Sequence, residues 1–133
     1  MSTTYLGIED LVQIVELVTG EPIEASLRDV GLLAGAVARP RAQRDGVDAY
    51  DGLARKSAAL LEALGGNNAL RDGNRRIAWV AVNVFVELNK QQLVFTENEA
   101  FILLHEVALG HAGFGDIAER IATRLQPLEP SSA

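Results

Sequence analysis

The segment Asn74–Asn89 constrains this chain more than any other, because only Asn83 interrupts the apolar run between Ile77 and Val86. Its valines would suit a buried strand, but sixteen residues without a turn signal exceed a usual strand. We therefore read it as a helix buried on all sides, against which other elements pack. Amphipathic segments supply those elements. Ile8–Val18 puts Leu11, Val12, Val15 and Val18 on one stripe, and Glu9 and Asp10 occupy the first turn, where the helix dipole favours negative charge. Gly20 and Pro22 stop it. A second helix is predicted from about Ser26 to Ala38, with Leu27, Val30, Leu33 and Val37 inward and Pro40 ending it. A third covers Leu53–Leu64, burying Leu53, Ser57, Leu60, Leu61 and Leu64 before the Gly65-Gly66 stop. Thr96-Glu97-Asn98-Glu99 is a capping box that opens a helix through Ala108, and a last helix spans roughly Phe114–Leu125. The polar stretch Arg41–Tyr50, with Gly46, reads as an exposed loop, and no hairpin is predicted. The expected fold class is all-α, a compact bundle of six or more helices around one central helix. Residues 1–126 form its single domain. Residues 127–133 are expected as a disordered tail, since Pro127 and Pro130 forbid helix there.

Composition narrows the function classes. At 133 residues, 48% of them apolar, the chain has room for one domain with a real core. Twelve Lys and Arg against 18 Asp and Glu leave a net charge of −6, which argues against direct nucleic-acid binding. The absence of Cys excludes disulfides, Cys-zinc sites and thiol nucleophiles. No run is apolar enough for a membrane span, and Met1–Gly7 lacks signal-peptide character, so a cytoplasmic location is expected.

The stretch with chemical content is Asn67-Asn68-Ala69-Leu70-Arg71-Asp72-Gly73-Asn74-Arg75-Arg76. Glycine permits close backbone approach to a ligand, and the central helix opens immediately after it. Arg71, Arg75 and Arg76 crowd the helix N-terminus, whose dipole end is already positive. For stability alone that is the wrong charge; with a bound polyphosphate it makes sense. Asp72 among them would suit a magnesium ion bridging phosphate oxygens. The alternative is a solvated turn whose arginines pair with surface carboxylates such as Glu62. His105 and His111 do not make a zinc site, since six residues and Gly110 separate them where four on one helix face are required. Trp79 is expected in the core rather than as a stacking platform.

The loop is similar to the signature of the Fic/Doc family, H-x-F-x-[DE]-G-N-x-R in its Fic branch. It resembles still more the form N-H-A-L-x-D-G-N-K-R met in toxins related to the Doc (death-on-curing) branch. Asp72, Gly73, Asn74 and Arg76 coincide position by position, and Ala69-Leu70 fits the second form. Tyr5–Leu11 looks like the Doc opening, Leu27–Leu33 followed by Ala38-Arg39-Pro40 like its second helix, and Val84–Asn89 like the end of its central helix. The resemblance therefore extends over most of residues 5–125. It departs at one decisive position, because the family's catalytic histidine falls on Asn68. Arg75 stands where Fic adenylyltransferases have glycine and Doc toxins a basic residue, and Trp79 stands where the Fic branch has a second arginine.

The resemblance implies a Doc-like toxin of a toxin–antitoxin module: a protein kinase that transfers the ATP γ-phosphate to elongation factor Tu and blocks translation. It implies Gly73, Asn74, Arg75 and Arg76 as nucleotide-binding residues, Asp72 as the magnesium residue and position 68 as the catalytic one. The implied partner is a Phd-like antitoxin with a disordered segment that folds on binding. The acidic loop Asp45–Asp51 corresponds to a flap that positions a target segment, or is simply solvated. A carboxamide cannot serve as a general base, so this form is expected to be inactive while retaining the nucleotide. Asn68 is then either natural or a disarming substitution. The competing readings are a non-catalytic nucleotide- or partner-binding protein of the same fold and a Fic-type AMP transferase.

Overall fold

In the computed structural model, which describes residues 2–129, helices dominate and the only sheets among the described residues are two short two-stranded pairs. The order is α1 (Ile8–Thr19), α2 (Ile23–Ser26), α3 (Val30–Ala38), a 3₁₀ turn (Arg39–Arg41), β1 (Gln43–Arg44), β2 (Val47–Asp48), α4 (Leu53–Gly66), α5 (Asn74–Leu88), β3 (Gln91–Leu93), α6 (Glu97–Ala108), α7 (Phe114–Ala122) and β4 (Leu125–Pro127). The all-α expectation stands at the level of fold class. The expected tail begins inside β4 at Pro127, whose strand pairs with Gln91, and residues 130–133 lie outside the described residues.

The centre is α5 packed against α4, with α1, α6 and β3 completing its surround. Ile77, Ala78, Ala81, Val82, Phe85 and Val86 are fully buried, each large one contributing about 1.5–3 kcal/mol on leaving water. Burial on all sides does not hold, however. Trp79, Val80, Asn83 and Val84 are half-buried, and Glu87 and Leu88 are exposed. Trp79 packs against the core and meets Phe95 edge-on at 5.3 Å, as expected of a core tryptophan. In α1 the buried set is Leu11, Ile14 and Val15, and the Asp10 carboxylate accepts the Gly7 N–H at 2.7 Å to cap the first turn.

Three local expectations need correction. The helix expected from Ser26 begins only at Val30, with the short α2 ending at Ser26, because Leu27 leaves the helix and pairs with Leu70 in the loop before α5. Asp29 caps α3 by accepting the Leu32 N–H at 3.0 Å, which leaves Val30 exposed rather than inward. Gly65 and Gly66 do not stop α4 but form its last turn; a Cβ on Gly65 would lie 3.0 Å from Val107 Cγ1, so glycine lets α6 approach. The stretch read as an open loop contains the β1–β2 hairpin, whose Asp45-Gly46 turn has positive φ at both residues, the geometry of a tight two-residue connection. Lys56 anchors that hairpin from α4. It is buried, with its ammonium donating to Asp48 at 2.9 Å and to the Tyr50 carbonyl.

Candidate functional site

The loop between α4 and α5 is built by side chains that bond backbone. Asn74, the first residue of α5, folds its amide back on Leu70, accepting that residue's N–H at 3.0 Å and donating to its carbonyl at 2.9 Å. Asn67 closes the other side, accepting the Ala69 N–H at 3.1 Å and donating to the Leu32 carbonyl at 3.0 Å. Gly73 enters α5 at φ 76°, in the left-handed region where only glycine is at ease. Loop residues 69–71 also pair with 26–29: the Ala69 carbonyl accepts the N–H groups of Arg28 and Asp29, and the Arg71 N–H donates to the Ser26 carbonyl at 2.8 Å.

This scaffold leaves a polar cleft of about 360 Å³ at the N-terminus of α5. All six predicted site residues, Asn68, Asp72, Gly73, Asn74, Arg75 and Arg76, line it, together with Gly65, Arg71 and Ala108. The N–H groups of Asn74, Arg75 and Arg76 have no hydrogen-bond partner among the described residues, and no side chain caps the helix. Such a terminus binds anions. Among the described residues, Arg71, Arg75 and Arg76 form no ion pair. Glu62, the partner suggested by the solvated-turn alternative, instead pairs with Arg39 at 2.6 Å. Arg71 leans on the Ala25 carbonyl at 3.2 Å, Arg75 lies 3.3 Å from His105 Nδ1, and the Arg76 guanidinium has no hydrogen-bond partner among the described residues. Asp72 is exposed, and one of its oxygens accepts the Gly73 N–H at 2.8 Å.

Two expectations are refined. Asn74 reaches the cleft edge, but its amide is occupied with Leu70, so its side chain shapes the loop while its N–H stays without a partner among the described residues. Arg28 was not singled out in the sequence, yet its Nε donates to the Asn68 carbonyl at 2.7 Å. The signal available for it was Asp29, an N-cap residue that starts α3 at Val30 and leaves Arg28 free to reach the loop. Asn68 itself is exposed with φ 54°, a conformation that asparagine and histidine both tolerate better than most residues. No group of three or more His, Asp or Glu able to hold a metal occurs among the described residues. A larger cavity of about 680 Å³ lies at the opposite end of α5, around Thr4, Leu53, Leu88 and Asn89. Its lining includes the uncapped start of α4 at Leu53 and Ala54 but only one cation, Lys90, whereas the smaller cleft gathers three arginines, so we take the smaller cleft as the candidate site. No described helix is long and apolar enough to cross a membrane.

The sequence pattern of the Fic/DOC family matches residues 5–86, a stretch that includes the whole loop and most of α5. The chain is also 43% identical over 122 residues to "Toxin Doc" of Mycolicibacterium smegmatis (strain ATCC 700084 / mc(2)155), covering 90% of this chain and 92% of that protein. With the family pattern spanning the site and a relative matching nearly end to end, this chain belongs to the Fic/DOC family.

Proposed function

We propose that this protein is the toxin of a toxin–antitoxin module, built as a Doc-like protein phosphotransferase and silent in this form because Asn68 occupies the base position. The observation that carries the reading is the cleft, where three unfilled N–H groups and arginines without carboxylate partners converge beside a single aspartate. The near full-length likeness to a protein named Toxin Doc supports the module, with a Phd-like antitoxin as partner. In this reading the N–H groups of Asn74, Arg75 and Arg76 and the guanidinium of Arg76 hold the ATP phosphates. Asp72 offers one carboxylate to magnesium, whose remaining ligands would be phosphate oxygens and water, the usual pattern for that ion. The acceptor hydroxyl belongs to elongation factor Tu, and its proton must pass to a base at position 68. Asn68 can orient a hydroxyl but cannot take a proton.

Restoring the base tests the reading. Asn68→His should transfer label from γ-labelled ATP to elongation factor Tu and arrest growth without antitoxin, at a rate 10²–10⁴-fold above the present sequence, the usual contribution of a positioned base. Transfer from α-labelled ATP would make it an AMP transferase instead. Transfer of neither label by a folded, ATP-binding Asn68→His protein would leave a non-catalytic binding protein, the reading that Asn68 itself favours.

A further inference from the structure

We propose that Arg28 is a positioning residue for the side chain at position 68, an inference that rests on the phosphotransferase reading above and adds a residue to it. The peptide unit joining Asn68 to Ala69 is gripped at both polar ends by side chains. Arg28 Nε donates to its carbonyl at 2.7 Å, and Asn67 Oδ1 accepts its N–H at 3.1 Å. A peptide plane fixed at both ends fixes ψ of residue 68, and with it the direction in which that residue's Cβ leaves the backbone. The direction matters because residue 68 sits in the left-handed region, at φ 54°, where a free loop would relax to commoner conformations.

The rest of the 26–29 segment cannot do this alone. The bonds from Arg28 N–H and Asp29 N–H to Ala69, and from Arg71 N–H to Ser26, hold the loop one residue further on and are indifferent to which side chain stands at 28. Among the described residues, only the guanidinium reaches the carbonyl of residue 68, forty positions away in sequence. A donor that carries full charge makes the stronger bond, and its planar fork is pre-organised for it. Arg28 thus acts through the peptide of residue 68, without contact to nucleotide or acceptor.

Two measurements test it. In the chain as it stands, Arg28→Ala should speed amide hydrogen exchange at Ala69 by about tenfold relative to mid-α5 amides, with nucleotide binding unchanged; equal exchange overturns the proposal. In the Asn68→His protein, Arg28→Ala should lower kcat ten- to a hundredfold, the scale of a small misplacement of a catalytic group, and leave the nucleotide KM within about twofold. Arg28→Lys, which keeps a charged donor, should recover part of that loss. An unchanged kcat, or a raised KM at constant kcat, overturns the assignment. Should Asn68→His transfer no phosphate at all, the phosphotransferase reading fails and the exchange measurement alone decides whether Arg28 sets the loop.

Discussion

Arg39 and Arg76 carry the same guanidinium into opposite settings. Arg39 donates to the Tyr50 hydroxyl at 2.9 Å, pairs with Glu62, and lies over the rings of Tyr50 and Phe114. It ties the base of the hairpin to α4 and α7. Arg76, with Arg71 and Arg75, stands at a helix end of its own sign and forms no ion pair among the described residues. At Arg39 the fold itself answers the charge; at the α5 N-terminus three arginines without ion-pair partners line one cleft. Under the proposed reading, clustered unanswered charge marks the site where cavity size does not.

The comparison predicts that damage to the matched side appears as lost stability. Lys56→Ala should cost about 2–4 kcal/mol, since it strands Asp48 and the Tyr50 carbonyl and opens a cavity under the hairpin. Urea unfolding checks this, and Lys56→Met, which keeps the stem, should recover the packing part. Damage to the unmatched side should appear as lost binding. Arg76→Ala should weaken ATP binding by about 1.5–3 kcal/mol and change unfolding by less than about 0.5 kcal/mol. Arg39→Ala should do the reverse, lowering stability by about 1–2 kcal/mol with ATP affinity kept. Calorimetry showing the two substitutions alike would break the comparison.

Smaller effects sharpen it. Gly73→Ala has open space for its Cβ, so its cost is backbone strain alone, about 1–2 kcal/mol for the left-handed conformation. Thermal unfolding should register it, and bound nucleotide should restore part of the loss. The smallest effect is acid sensitivity. Hydrogen bonds from Lys56 and then Gln43 hold the Asp48 carboxyl below its ordinary range, and the Thr96 N–H, followed by the Thr96 hydroxyl and Arg124, does the same for Glu99. A carboxyl depressed in the folded state stabilises above its unfolded pKa, and the gain is lost as pH falls through its folded value. Stability should therefore decline from about pH 4 downward. Asp48→Asn and Glu99→Gln should flatten that decline, whereas Arg76→Ala should leave its slope alone.

Much of the scaffold was legible in the sequence because it is written locally. The apolar run of α5, the capping box at Thr96 and the Gly20 stop all act within a turn or two of themselves. The break between α2 and α3 was not legible, since Leu27 leaves the helix to pair with Leu70, far along the chain. The β3–β4 pairing is likewise long-range, joining Leu93 to Leu125. The hairpin turn could have been read, because Asp45-Gly46 is a strong signal; the flanking residues are exposed and polar, so no alternation accompanied it. In the site, residue types announced the anion cleft, but which arginine leans on α2 and that Asn74 bonds Leu70 depend on how separate segments meet.

The clasp between Thr4 and Asn89, in which the Thr4 N–H donates to Asn89 and the Asn89 amide returns a bond to the Thr4 carbonyl, spans 85 positions. At about 5–20 residues per second of synthesis, roughly 4–17 s pass between the emergence of its two halves. Throughout that interval Tyr5 and Leu6 have no Phe85 to stack on and no core to enter. The loop at 68–76 is also open on the side that His105 and Ala108 later wall. The cleft therefore becomes whole only after Ala108 has left the ribosome. Until then a nascent copy carries the residues of the cleft unassembled.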